Sequence, residues 1–186
     1  MISTASDPLH YLRETTATLH QRFDSALPIA REDAGLSDYL AHLRAMRRWL
    51  DQLSLVWEQA DSPAWQPMPA AIADRLALID ADLGEAGETP LPAAPCPPAP
   101  ANNEAFLWGV AYVAEGSRLG GLVLHRRLAA QLAPHPLRFL CAGNDWPRFI
   151  AALRAADPAR KEARAGALWA FAQAGAAHGL ALDSPS

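Results

Sequence analysis

The chain has 186 residues, 51% of them hydrophobic, which suits one domain with a substantial core. A formal net charge of −4 gives no basis for a nucleic-acid partner, and two cysteines are too few for a secreted disulfide framework. No apolar stretch approaches membrane-spanning length and no basic patch leads into an apolar run at the N-terminus, so a cytoplasmic protein without membrane contact is expected.

In chain order, almost every segment carries a helical period. Ser6-Asp7-Pro8 predicts a helix start, with a cap residue followed by proline in the first turn. The apolar stripe that follows is Leu9, Leu12, Thr16, Leu19 and Phe23, and Pro28 lies just beyond its end. A second helix is predicted over 37–59, with Leu40, Leu43, Met46, Leu50, Leu53 and Val56 at helical spacing. A third covers about 69–83. Residues 84–101 contain Pro90, Pro92, Pro95, Pro97, Pro98 and Pro100 and are read as an extended crossing loop inside the domain, because neither half alone offers a core. The fourth and longest helix is predicted from Asn102 or Asn103 to about Leu132, with Pro134 and Pro136 beyond it. A short helix from Trp146 to Ala156 follows, and Asp157-Pro158 opens the last, which reaches about His178. No segment has a strand period. The expected fold is all-α, a single compact multi-helix domain over residues 1–186.

The fourth helix contains Trp-Gly-Val-Ala-Tyr-Val-Ala-Glu-Gly-Ser-Arg-Leu-Gly-Gly over 108–121. Glycine inside a helix costs about 1 kcal/mol against alanine, and alanine is abundant in this chain. Gly116 and Gly120 lie four apart, on one face. A face stripped of side chains serves either a close helix–helix contact or a large flat ligand that touches the backbone. Tyr112 lies one turn before Gly116 on the same side, as a core tyrosine or as a polar contact, and Glu115 faces away, within reach of Arg118.

Among six histidines, His20 has the most telling surroundings, on the inward stripe with Thr16 one turn before it and Arg13 two turns before it. It is either a core histidine bonded to a carbonyl or a metal ligand. His10 and His42 lie near charged residues and are predicted to be solvated. His125 begins a basic His-Arg-Arg turn, His135 lies between prolines, and His178 falls near a frayed helix end. No zinc or di-iron spacing, nucleophile elbow, P-loop or dinucleotide fingerprint occurs, and Cys96 belongs to no Cys-x-x-Cys-His haem attachment.

Two segments together carry a family resemblance. Leu12-Arg13-Glu14-Thr15-Thr16-Ala17-Thr18-Leu19-His20-Gln21-Arg22-Phe23-Asp24 resembles the proximal helix of bacterial haem oxygenases. Ala111-Tyr112-Val113-Ala114-Glu115-Gly116-Ser117-Arg118-Leu119-Gly120-Gly121 resembles their kinked distal helix, in the same order and at a similar separation. Weaker similarity extends through Asp82-Leu83-Gly84 and Asp145-Trp146-Pro147-Arg148-Phe149. The resemblance implies a haem-degrading monooxygenase, with haem as both cofactor and substrate. Oxygen and electrons from an external donor would cleave a meso carbon to give biliverdin, carbon monoxide and iron. A non-catalytic haem carrier or sensor of the same fold is the alternative.

Position by position, the resemblance implies that His20 is the axial iron ligand. Gly116 and Gly120 would press backbone against the opposite haem face as the catalytic wall, with Ser117 nearby and Gly121 beside them in the cofactor site. Arg13 and Tyr112 match positions that bond the propionates, with Thr16 between them, and Arg126 occupies a place that is basic in some relatives. Two helical turns, roughly 10.5 Å, separate Arg13 from His20 and would suit a guanidinium reaching the macrocycle edge. Gly-Ser-Arg-Leu-Gly stands where the animal enzymes have Gly-Asp-x-x-Gly, so Arg118 or a C-terminal side chain is expected to order water in place of the aspartate. No carboxylate shares the turn of His20, which predicts a weakly charged ligand. Trp169 and Phe171 would wall the pocket. The implied partners are a redox donor such as a ferredoxin or reductase, docking on Arg22, Arg126 and Arg127, and a bacterial phytochrome that receives biliverdin, unless the reaction serves iron release.

Overall fold

A computed structural model describes residues 7–60, 62–65, 67–89, 99–101, 103–143 and 145–181. Ser6, Asn102, Cys96 with the prolines between 90 and 98, and the polar C-terminal residues lie outside the described residues. Among the described residues there are seven α-helices and no strand, and no helix is long and apolar enough to cross a membrane.

Helix α1 spans Pro8–Ala26, and the Leu9 amide donates to Asp7 Oδ1 at 3.3 Å, so Asp7 is the cap that the Asp-Pro pair predicts. Its buried stripe is Leu9, Leu12, Thr16 and Leu19. A 3-10 turn, Pro28–Ala30, leads to α2, Leu36–Glu58, whose predicted stripe is buried throughout. Helix α3 spans Pro67–Glu85 and is longer than its stripe predicts at both ends. Helix α4 covers Glu104–Leu128, capped by Asn103, which accepts from the Phe106 amide at 3.0 Å. It runs unbroken through its glycines and ends before the predicted Leu132. The ring of Pro134 would meet the carbonyl of Ala130, so helical bonding cannot continue that far. The short helix α5, Arg138–Cys141, has no counterpart in the sequence reading. Helix α6 is Trp146–Ala156, with the predicted bounds, and α7 is Arg160–Ala177.

Helix α7 organises the packing. Its inner stripe is Ala163, Gly166, Ala167, Ala170 and Ala174, all buried and all small, so neighbouring backbones come close. A Cβ added to Gly109 of α4 would lie 1.8 Å from the Ala163 carbonyl oxygen, and one added to Gly166 would lie 2.0 Å from that of Phe106. Each of these glycines is a contact between helices, and the sequence reading singled out neither. Gly109→Ala is expected to destabilise the protein by about 2–4 kcal/mol, since the obstacle is backbone. Thermal unfolding should show a melting temperature lower by roughly 5–15 °C. On the other side of α7, Trp49 of α2 donates its indole N–H to the Ala170 carbonyl at 3.0 Å.

A second anchor joins α2, α3 and α5. Asp82 is fully buried and accepts from the Tyr39 hydroxyl at 2.6 Å, the Phe139 amide at 2.9 Å and Arg138 at 3.2 Å. A buried carboxylate with three donors is well satisfied, and it holds the tight turn that the four-residue α5 requires.

Candidate active site

Helices α1 and α4 both pack along α7, and they are tied to one another at two points. At one end the Tyr112 side chain lies close to Thr16, whose hydroxyl donates to the Leu12 carbonyl at 2.7 Å. At the other, the Arg127 guanidinium donates to the carbonyls of Ile29 and Ala30, just past α1. From Tyr112 to Arg127 α4 advances about 22 Å.

Helical register fills the space between these ties. Thr16 faces α4, so His20, four residues on, stands on the same side of α1. Tyr112 faces α1, so Gly116 and Gly120 follow on that side of α4 at one-turn intervals. A Cβ added to Gly116 or to Gly120 would meet nothing within 4 Å. These two glycines therefore border open space, whereas Gly109 of the same helix is filled by α7. Gly121 points elsewhere: its added Cβ would sit 3.5 Å from the Leu140 carbonyl oxygen, in ordinary contact with α5.

The His20 side chain is 54% exposed, with Nδ1 3.0 Å from Asp24 Oδ2 and its ring edge-on to Phe171 at 5.7 Å. The expectation of an imidazole without a carboxylate neighbour is corrected here, because Asp24 is brought alongside by the i,i+4 spacing. Asp24 accepts from Nδ1 and so raises the imidazole pKa, against the opposing effect of burial. With Nδ1 engaged, Nε2 is the nitrogen left to bind a metal, and the carboxylate makes it a better donor. An imidazole on α1, and bare main chain on the side of α4 that register turns towards α1, are a donor set and a cradle that would fit a haem. Of the other predicted residues, Arg13 is exposed, close enough to Tyr112 to act on it electrostatically, and makes no ion pair among the described residues. Tyr112 is buried, which raises its pKa. Arg126 is exposed, as is Arg22, but Arg127 is tied to carbonyls and does not offer a free charge. Trp169 sits against Phe106, away from His20.

The Ser117 hydroxyl donates to the Ala114 carbonyl at 2.7 Å and accepts from Arg75 at 3.0 Å. Arg118 does not reach across the cleft: it bonds the Gly143 carbonyl and pairs with Glu115 at 3.5 Å. The cation behind the glycine segment is instead Arg75 of α3, 5% exposed, which also donates to the Ala114 carbonyl at 3.2 Å and lies over the Phe139 ring. Burial pushes its pKa down to about 10, so it remains charged at neutral pH. Arg75 was missed in the sequence, yet it lies on the buried stripe Ile72, Arg75, Ile79, Asp82, Leu83, where a charge is itself a signal. Under the function proposed below Arg75 would be a positioning residue for 114–117, and Arg75→Met should leave haemin affinity within about twofold while turnover falls roughly tenfold. Equal losses in both, by titration and by rate, would mean that it only supports binding.

One histidine expected to be solvated is found inside, against a partly buried partner. His42 is 8% exposed, not solvated, and its Nδ1 is 3.1 Å from Nε2 of His178, which is anchored to the Ala174 carbonyl at 2.8 Å. Burial pushes the His42 pKa down to about 3, with His178 acting in the same direction. An unfolded chain binds that proton near pH 6.5 and the native one does not, so the contribution to stability is complete above 6.5 and is lost as pH falls towards 3. Urea unfolding at stepped pH should show a loss on the order of a few kcal/mol across this window, and a shallower one in His42→Gln.

No family model matches the chain. The haem oxygenase of Xanthomonas campestris pv. campestris (strain 8004) is 39% identical over 84 residues, which is 40% of this chain and 51% of that relative. The chain thus spans about half the length of this relative. The crystal structures of the NO- and CO-bound haem oxygenase from Neisseria meningitidis superimpose with a TM-score of 0.67 over 94% of both chains, at 23% identity. The chain has the haem oxygenase fold. Among its described residues no group of three or more His, Cys, Asp or Glu side chains could hold a metal ion.

Proposed function

We propose that this chain, acting as one domain, is a haem-degrading monooxygenase that converts haem to biliverdin, carbon monoxide and iron. What supports this reading most is the contrast among glycines of one helix: an added Cβ meets nothing within 4 Å at Gly116 and Gly120, on the side of α4 that helical register turns towards α1, while Gly109 is closed against α7. Both comparison proteins are named haem oxygenases, which supports the same reading.

Bound haem supplies the iron at which oxygen is activated, and it is also the molecule consumed. His20 Nε2 would hold its iron, with Asp24 fixing the ring and the tautomer. The α4 main chain at Gly116 and Gly120, free of side chains, would let a flat ligand approach the backbone closely and would leave little room between them. Arg13 and Tyr112, with Thr16 behind, would bind the propionates and so orient the ligand. Ser117, held by Arg75, keeps this stretch of α4 in register. Electrons come from a cytoplasmic redox protein, a ferredoxin or a reductase, with an acidic face that meets Arg22 and Arg126. Biliverdin passes to a bacterial phytochrome where one is present, and otherwise iron is the useful product.

Haemin added to the full chain, followed by ascorbate under air, tests this. Loss of the Soret band with a growing red absorption is the expected result. A Soret band that persists under reductant would instead identify a haem carrier or sensor, and failure to bind haemin would remove both readings.

A further inference from the structure

Away from the cleft, a cavity of about 390 Å³ opens between the start of α2, the turn after α1 and the end of α7. Leu27, Ile29, Ala41 and Ala45 give it apolar walls, and its volume falls within the range of small-molecule sites. Its polar groups can be accounted for one at a time. Asp38 is satisfied by Arg31 and the Gly35 amide, and Arg44 is paired with Glu88. Two groups are left over.

The first is a nitrogen whose protonation is dictated by its neighbours. The Ala174 carbonyl can only accept, so His178 Nδ1 carries a hydrogen and donates to it at 2.8 Å. His178 Nε2 is then a lone pair, and the 3.1 Å contact requires His42 Nδ1 to be the donor. Neutral His42 therefore presents Nε2 as a bare acceptor. Among the described residues nothing donates to it, although the side chain is more than nine-tenths buried. Burial disfavours the alternative, a charged imidazolium. The second group is Arg48, which lines the same cavity, is exposed, and has no anionic partner among the described residues.

We infer that this cavity binds a small organic acid that also carries a hydroxyl, with the hydroxyl donating to His42 Nε2 and the carboxylate meeting Arg48. The His178 relay fixes His42 as an acceptor, so a ligand must bring its own hydrogen, and a simple carboxylate satisfies only half of the site. The assignment does not depend on the haem reading, since His42 and Arg48, the two groups it uses, both lie on α2.

The test is a titration of the full apoprotein, ¹⁵N-labelled at histidine, with 3-hydroxybenzoate, benzoate and phenol, followed through the imidazole nitrogens. Saturable binding of 3-hydroxybenzoate is expected, with the unprotonated His42 nitrogen shifting and with affinity about tenfold above that of benzoate and of phenol. Arg48→Gln, at an exposed position that should not disturb folding, should weaken 3-hydroxybenzoate about tenfold and leave phenol unchanged. His42→Gln should remove the advantage of the hydroxyl. No saturable shift with 3-hydroxybenzoate, equal binding of it and benzoate, or an Arg48→Gln variant that binds like wild type would each overturn the assignment.

Discussion

His20→Ala is expected to abolish axial ligation: the haemin complex loses its imidazole-ligated Soret position and turnover drops by roughly a hundredfold or more. The folded chain should tolerate the change, because the side chain is half exposed and its partners, Asp24 and the edge of Phe171, are not a buried network. Loss of function with an unchanged melting temperature is therefore the signature. Free imidazole at millimolar concentration should restore part of the spectrum, since the truncation leaves a slot between α1 and the bound plate. A variant that kept both the wild-type spectrum and turnover would put the axial bond on another atom and end the proposed function in its present form.

Gly120→Leu separates stability from activity in the opposite sense. Leucine is the better helix former by roughly 0.5–1 kcal/mol, and an added Cβ meets nothing within 4 Å, so the apoprotein should become slightly more stable. The same side chain would occupy the space above the plate. Haemin is expected to bind, shifted or tilted, while biliverdin formation falls at least about tenfold, because misplacements near 1 Å carry such costs. Thermal unfolding of the apoprotein and product formation under ascorbate, measured on one preparation, give both numbers. A leucine variant with full turnover would mean that the ceiling over the plate is not built from this stretch of α4.

How much of this was readable beforehand depends on the distance over which each feature is defined. The stripe of α1 and the cap at Asp7 are local, set by residues a few positions apart, and they are observed as predicted. So are α6 and the paired glycines of α4. Helix α5 has four residues, too few for a period to declare itself, and it depends on Asp82 far away in sequence. The glycines of α4 look alike as letters. Only the position of α7 distinguishes Gly109, which is filled by a carbonyl, from Gly116 and Gly120, which border open space. His42 was misread because its partner, His178, lies 136 residues on, beyond any pattern of neighbouring charges. Arg75 is the instructive omission: an arginine on an apolar stripe was in view, but what it holds, Ala114 and Ser117, was not.

The two ties between α1 and α4 have a mechanical consequence. Thr16–Tyr112 and Arg127 with the Ile29 and Ala30 carbonyls act as abutments at either end of a span, and α7 stands behind it as a back wall. Under the proposed function a flat ligand would have to enter edge-first while both abutments stay in place, and the spacing of the two helices would not have to change as it did so.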